Sequence, residues 1–173
     1  MNRTTGTGRL TSAAAVLAAA AVLAVAAPAA PARAATPSVF QLVNAASGKC
    51  LDVAGGSTAD GAAVIQWSCN GGDNQKWTWD RGYLVNVLSG KCLDIPGGST
   101  AWGTQAVQWS CNEGDNQWWS EESDGTADSP RRFPNMNSGL LLDVSGAGTA
   151  DGTAVIQWAR TGGTNQGWHY VAA

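Results

Sequence analysis

One string of residues is written three times in this chain. Ser-Gly, Leu-Asp-aliphatic, Gly-x-x-x-Ala-x-Gly, Gln-Trp and Asn-Gln recur in that order. Each copy closes on Gln-x-Trp: Gln75-Lys76-Trp77, Gln117-Trp118-Trp119 and Gln166-Gly167-Trp168. The aspartates Asp52, Asp94 and Asp143 set the offsets at 42 and then 49 residues, and the Gln-Trp and Asn-Gln pairs keep them. One insertion of about seven residues, within Glu121 to Arg132, accounts for the difference, and its acidic, Ser/Gly/Pro-containing composition predicts a surface loop. Units of this period cannot bury their apolar faces alone and must pack on one another. Three copies at approximately 39–80, 81–122 and 131–173 predict a ring that closes on itself.

Within a unit the pattern is that of short strands. Phe40 to Val43, Lys49 to Val53, Ala63 to Trp67 and Lys76 to Trp79 are β-branched, aromatic or alternating, with turns such as Gly55-Gly56 and Asn70-Gly71-Gly72 between them. No stretch after residue 38 repeats apolar residues at helical spacing, so helices are limited to single turns. Twelve short strands in three pseudo-symmetric repeats can close a barrel with a cap and leave few open edges, which is the β-trefoil solution to an all-β chain.

The first residues carry a different message. Arg3 and Arg9 precede an apolar run from Ala13 to Ala27, followed by Ala32-Arg33-Ala34, a small-x-small cleavage pattern. Residues 1–34 are read as a secretory signal peptide and 38–173 as the mature domain, so the protein is expected to be secreted and extracellular. The run is shorter than the roughly 20 apolar residues that span a bilayer, and no membrane insertion is expected.

Four cysteines in an exported chain imply disulfides, for which three pairings exist. The repeat selects one of them. Cys50 and Cys69 have the same separation as Cys92 and Cys111, and the third copy has Leu141 and Arg160 at the two positions, so both members are lost together. Cys50 is therefore paired with Cys69 and Cys92 with Cys111, which leaves the third repeat as the loosest. Metal binding is not indicated: there is no Cys-x-x-Cys, and the single histidine, His169, is remote from the cysteines. No cofactor is implied.

Removing the leader takes away Arg3, Arg9 and Arg33 and no acid, which moves the formal charge from −3 to −6. The remaining basic residues are scattered, which disfavours nucleic acid. Nine tryptophans among neutral polar residues suit an uncharged ligand.

These motifs resemble the ricin B-chain-like lectins, also called family 13 carbohydrate-binding modules. The resemblance rests on the threefold Gln-x-Trp, on Ser-Gly-Lys-Cys-Leu-Asp-Val at Ser47 to Val53 and its echo at Ser89 to Ile95, and on Asn-Gly-Gly-Asp-Asn-Gln-Lys-Trp at Asn70 to Trp77. It runs from about Val39 to Tyr170. It implies one shallow sugar pocket per repeat, carried by Asp52, Trp67 and Asn74; by Asp94, Trp109 and Asn116; and by Asp143, Trp158 and Asn165. The chemistry suits a sugar. A carboxylate accepts strong hydrogen bonds from neighbouring hydroxyls, an amide both donates and accepts, and an indole covers the C–H face of a pyranose.

Each residue also has a structural reading, the Asp tying down a turn and the Trp filling core. The order Val64-Ile65-Gln66-Trp67 departs from the family's common Val-Gln-Leu-Trp, so either Ile65 lines the pocket or a bulge restores Gln66. Gln66, Gln108 and Gln157 are thus secondary candidates, as are Gln75, Gln117 and Gln166, whose first task is satisfying buried backbone. The resemblance assigns Trp77, Trp119 and Trp168 to the core. Trp102 replaces the acid found at Asp60 and Asp151 in a glycine-flanked loop, where it either extends the second site toward a longer glycan or serves in packing. The third site, lacking a disulfide, is expected to have drifted furthest.

No catalytic set is present, since pseudo-symmetric aspartates form equal sites and no acid/base pair. The expected function is a secreted, non-catalytic lectin, a monomer, binding glycans or polysaccharides of galactose-, xylose- or arabinose-type sugars at up to three sites. The alternative is a β-trefoil protease inhibitor or protein-binding module acting through the loop between Glu121 and Arg132.

Overall fold

The structure is a computed structural model that describes residues 1–2 and 38–173, apart from residue 127. The chain divides into two units, Met1–Ala32 and Arg33–Ala173. The expected leader, beyond its first two residues, lies outside the described residues.

Among the described residues, ten strands form the second unit: β1 Phe40–Asn44, β2 Cys50–Val53, β3 Val64–Trp67, β4 Trp77–Asp80, β5 Tyr83–Asn86, β6 Cys92–Asp94, β7 Val107–Trp109, β8 Leu141–Val144, β9 Val155–Trp158 and β10 Trp168–Ala172. Single 3₁₀ turns occupy Ala54–Gly56, Asp73–Gln75, Pro96–Gly98, Ser145–Ala147 and Thr164–Gln166. A ring of pairings runs from β10 to β1, β1 to β4, β4 to β5, then through the bridges Tyr83 with Trp118, Trp119 with Asn135 and Arg131 with Trp168. Closure removes the exposed edges that a sheet of this size would otherwise present. Three hairpins, β2–β3, β6–β7 and β8–β9, cap the ring and bridge one another through Ala63 with Val107, Ile65 with Ala154 and Gln105 with Ile156. The β-trefoil is thus realised with ten strands and two bridged segments in place of the twelve strands expected. The insertion falls between those two segments, and Pro134 has no N–H to contribute to a ladder there.

The core is built from the repeat. Leu51, Leu93 and Leu142; Val53, Ile95 and Val144; and Trp77, Trp119 and Trp168 are buried triplets of equivalent positions. Each buried indole donates its N–H to the carbonyl of the leucine in its own copy, Leu51, Leu93 or Leu142, at 3.1, 3.0 and 3.2 Å. That satisfies a polar atom that would otherwise be costly to bury. The Gln-x-Trp tryptophans are therefore structural.

Both disulfides form as the repeat predicts, Cys50 with Cys69 and Cys92 with Cys111. In the third copy Arg160, in place of the second cysteine, pairs with Glu122 at the base of the insertion. The base is a small antiparallel ladder in which Glu122 and Arg132 exchange backbone hydrogen bonds of 2.9 and 3.0 Å, and Arg131 pairs with Glu121 at 3.1 Å.

Candidate functional site

The register of the hairpins decides what the pocket sees. Asp52 lies opposite Ile65 and Cys50 opposite Trp67, whereas Leu51 lies opposite Gln66. Directly opposed residues of an antiparallel pair share a face. Asp52, Ile65 and Trp67 therefore turn one way, and Leu51 and Gln66 turn inward. The other hairpins repeat this, with Asp94 opposite Val107 and Cys92 opposite Trp109, and Asp143 opposite Ile156 and Leu141 opposite Trp158.

Three open pockets result. The first is lined by Asp52, Gly55, Gly56, Ile65, Trp67, Asn70 and Asn74. The second is lined by Asp94, Pro96, Gly97, Gly98, Trp109, Asn112 and Asn116. The third is lined by Asp143, Ser145, Gly146, Ala147, Ile156, Trp158, Thr161 and Asn165. Every expected trio of Asp, Trp and Asn is brought together. Trp67, Trp109 and Trp158 are 42%, 42% and 36% exposed, which removes the core reading for them.

Each aspartate is buried at its base and held from behind. Gln75 donates to Oδ2 of Asp52 at 2.8 Å and Asn74 to the same oxygen at 3.0 Å. Gln117 and Asn116 do so for Asp94 at 2.7 and 3.0 Å, and Gln166 donates to Asp143 at 2.8 Å. The glutamines are fully buried. Their second donor goes to the carbonyls of Ser68, Ser110 and Ala159, and their oxygens accept from the N–H groups of Asn70, Asn112 and Thr161. Gln75, Gln117 and Gln166 thus orient the carboxylate and face no pocket. Among the described residues no donor reaches Oδ1 of the three aspartates, and that oxygen is the acceptor each pocket offers.

Burial raises the affinity of Asp52, Asp94 and Asp143 for a proton above that of an ordinary aspartate. The hydrogen bonds from the glutamine and then the asparagine oppose this only in part. Asp151 adds a small upward push at Asp52 and Asp60 one at Asp94.

The asparagines are supported across the copy boundary. Asn86 donates to the carbonyl of Asn74 at 3.0 Å, Asn135 to that of Asn116 at 2.9 Å and Asn44 to that of Asn165 at 2.9 Å. A second support is an absence of side chain. A Cβ on Gly72 or Gly114 would come within 2.6 Å of the side-chain oxygen of Asn74 or Asn116. The reading of single motifs missed both devices. The in-register recurrence of Asn44, Asn86 and Asn135, and of Gly72, Gly114 and Gly163, was the signal for them.

Two sequence expectations are corrected by the geometry. No bulge restores Gln66 to the pocket, and Ile65 lines it instead. Gln66, Gln108 and Gln157 are buried and spent on neighbours. Gln66 donates to the carbonyls of Gly148 and Ala150, Gln108 to those of Ser57 and Ala59, and Gln157 to those of Ser99 and Ala101. They staple each hairpin to the loop of another copy and are removed from the secondary site candidates. Trp102 does not adjoin the second pocket. Its ring lies 5.6 Å from that of Trp158, which lines the third. Both corrections have one cause: the loop of each copy folds over the hairpin of another, a relation set by ring closure.

Among the described residues no group of three or more His, Cys, Asp or Glu side chains gathers to hold a metal.

Residues 38–168 match the family described as the ricin-type beta-trefoil lectin domain. A designed 3-fold symmetric protein, ThreeFoil, superposes with a TM-score of 0.74 at 44% identity over 79% of this chain and 99% of that one. An exo-β-1,3-galactanase from Clostridium thermocellum gives 0.73 at 38% identity, covering 79% of this chain but only 30% of the enzyme. The ricin B-like lectin of Macrolepiota procera, solved in complex with lactose, gives 0.67 at 25% identity over 80% and 98% of the two chains. A probable lipoprotein, EnvE, of Salmonella typhimurium is 53% identical over 32 residues, so the similarity spans 18% of each chain.

Proposed function

The chain belongs to the ricin-type β-trefoil lectin domain family and is a carbohydrate-binding lectin, and we propose that it binds through all three pockets, without catalysis, outside the cell. The observation that carries the reading is the threefold recurrence of one arrangement: a carboxylate with one oxygen tied back and the other open, beside an exposed indole and an asparagine. In each pocket the open oxygen accepts from sugar hydroxyls, the asparagine shares one of them, and the indole covers the ring's C–H face. Galactosyl residues are the first ligands to examine, because the Macrolepiota lectin was solved with lactose and the Clostridium relative is a galactanase. Xylose- and arabinose-type polymers come next. The two disulfides suit an oxidising compartment and support export.

Open sites of this kind bind weakly, about 1 mM or roughly −4 kcal/mol each. Simultaneous engagement of a polymer by several sites raises the avidity through effective concentration. A glycan array followed by calorimetry on Asp52→Ala, Asp94→Ala and Asp143→Ala tests the reading. Each substitution is expected to remove one binding equivalent and to leave the domain folded. Unchanged stoichiometry in all three variants overturns it.

A further inference from the structure

The three copies differ most where the loop of one meets the hairpin of another. At two of the three junctions an acid makes the joint. Asp151 accepts from the backbone N–H of Ser68 at 2.8 Å and pairs with Lys49 at 2.7 Å. Asp60 accepts from the N–H of Ser110 at 2.7 Å and pairs with Lys91 at 2.6 Å. At the third junction the whole set changes together: the acid is Trp102, the lysine is Leu140 and the serine is Ala159. Exchanging every partner at once leaves no charged group stranded.

Filling the vacated space does not account for Trp102. A side chain recruited only to seal an apolar joint would be covered by it, yet Trp102 is 63% exposed, more than any other tryptophan of the chain. Its ring is tilted 56° to that of Trp158, at a centroid distance of 5.6 Å. Two exposed indoles at an angle make a corner with two apolar walls. Trp158 is the wall that this corner shares with the third pocket, whose lining does not reach Trp102. There Ala147, at φ 51°, stands where the other copies have Gly56 and Gly98. The third pocket therefore carries a side chain where the other two have glycine, and beside its tryptophan a second exposed indole stands in place of the lysine and acid of the other two junctions.

We propose that Trp102 and Trp158 form an extended third site that takes two adjacent residues of a neutral glycan, one in the pocket of Asp143 and Asn165 and the next against Trp102. The inference rests on the lectin reading above and sharpens it. The first two sites recognise single sugar residues, and the third recognises a linkage. Successive rings of a glycan present faces turned relative to one another, which a tilted pair of indoles accommodates and a flat one does not.

The test isolates the third site in the Asp52→Asn/Asp94→Asn chain and compares it with the Asp143→Asn chain, which keeps the first two. Calorimetry is run with galactose against β-1,3-galactobiose and lactose, xylose against xylobiose, and arabinose against arabinobiose. For whichever sugar the unsubstituted chain binds, the disaccharide is expected to bind the isolated third site about five- to tenfold tighter than the monosaccharide, the scale of one added aromatic contact. No such preference is expected from the first two sites. Trp102→Leu, which keeps an apolar side chain at the joint, is expected to bring the disaccharide down to the monosaccharide's affinity with thermal unfolding unchanged. Equal affinities at the third site, a preference that survives Trp102→Leu, or a Trp102→Leu variant that loses stability while keeping the preference, each overturns the proposal. If the unsubstituted chain binds none of these sugars, the reading of the pockets for them fails first, an outcome distinct from binding without a linkage preference.

Discussion

The hairpins of the first two copies are joined to their neighbours through charge, and that of the third is joined through aromatic rings. Asp151 and Asp60 grip Lys49 and Lys91, whereas Trp102 lies against Trp158. The same division runs through the covalent staples, present in the first two copies and replaced in the third by an ion pair of Arg160 with Glu122. The interior shows no such division. The Asp–Gln pair, the buried tryptophan and the stapling glutamine are the same in all three copies. A pseudo-symmetric fold thus holds its frame constant, because every copy must fit the same ring, and lets the joints at the surface diverge, because each joint answers only to its own partner.

The largest expected effect separates the copies by their staples. Replacing Cys50 and Cys69 together by serine removes a constraint on a loop of about 20 residues and is expected to cost about 3 kcal/mol in chemical denaturation. Arg160→Ala, at the equivalent place in the third copy, breaks an exposed ion pair and is expected to cost well under 1 kcal/mol. Equal losses would show that the ion pair substitutes for the disulfide.

The frame, by contrast, should respond identically. Gln75→Ala and Gln166→Ala each remove the buried donor behind a carboxylate oxygen, together with the bond to the carbonyl of Ser68 or Ala159, so each is expected to cost about 2 kcal/mol and abolish binding at its own pocket. A variant that lost stability but kept its site would detach the glutamine from the pocket's chemistry.

Acid distinguishes site from joint. Asp52, Asp94 and Asp143 hold protons more tightly in the fold than in the unfolded chain. Their protonation therefore favours the folded state, and acid does not unfold the domain through them. The open acceptor is nonetheless lost as pH falls through a value above the ordinary aspartate range near 3.8, by about tenfold in affinity per pH unit below it. Asp60 and Asp151 hold protons less tightly, mainly through their bonds with Lys91 and Lys49, so whatever they contribute is present above the ordinary range and lost only below it. Binding at all three sites should fade before the charged joints release, as followed by calorimetry and by thermal melts across the same buffers. Simultaneous loss would mean that the fold and not the carboxylate is titrating.

The smallest effect belongs to the charged joints themselves. Asp60→Asn and Asp151→Asn remove exposed pairs, and a slight, salt-sensitive drop in melting temperature is expected, with no counterpart for Trp102→Asn. A drop of equal salt sensitivity for Trp102→Asn would erase the distinction between charged and aromatic joints.

The trios of the three pockets were legible because repetition marks them. One Asp after Leu is uninformative, whereas Asp52, Asp94 and Asp143 at constant offsets from Trp67, Trp109 and Trp158 are a pattern. Strand alternation also narrowed Gln66 to two alternatives before the hairpin register chose one. The partners of Trp102 and Asp60, and the carbonyls that Gln66 holds, were not legible, because each lies in another copy, dozens of residues away along the chain.

By itself the sequence determined what recurs: the period, the strand pattern, the two disulfides, and which aspartates, tryptophans and asparagines belong together, since all of these are relations within one copy and are written in local spacing. The tertiary structure alone decided which copy each loop leans on. Closure of the ring sets that choice, and no local spacing encodes it. That is why Trp102, written in the second copy, stands against Trp158 in the third.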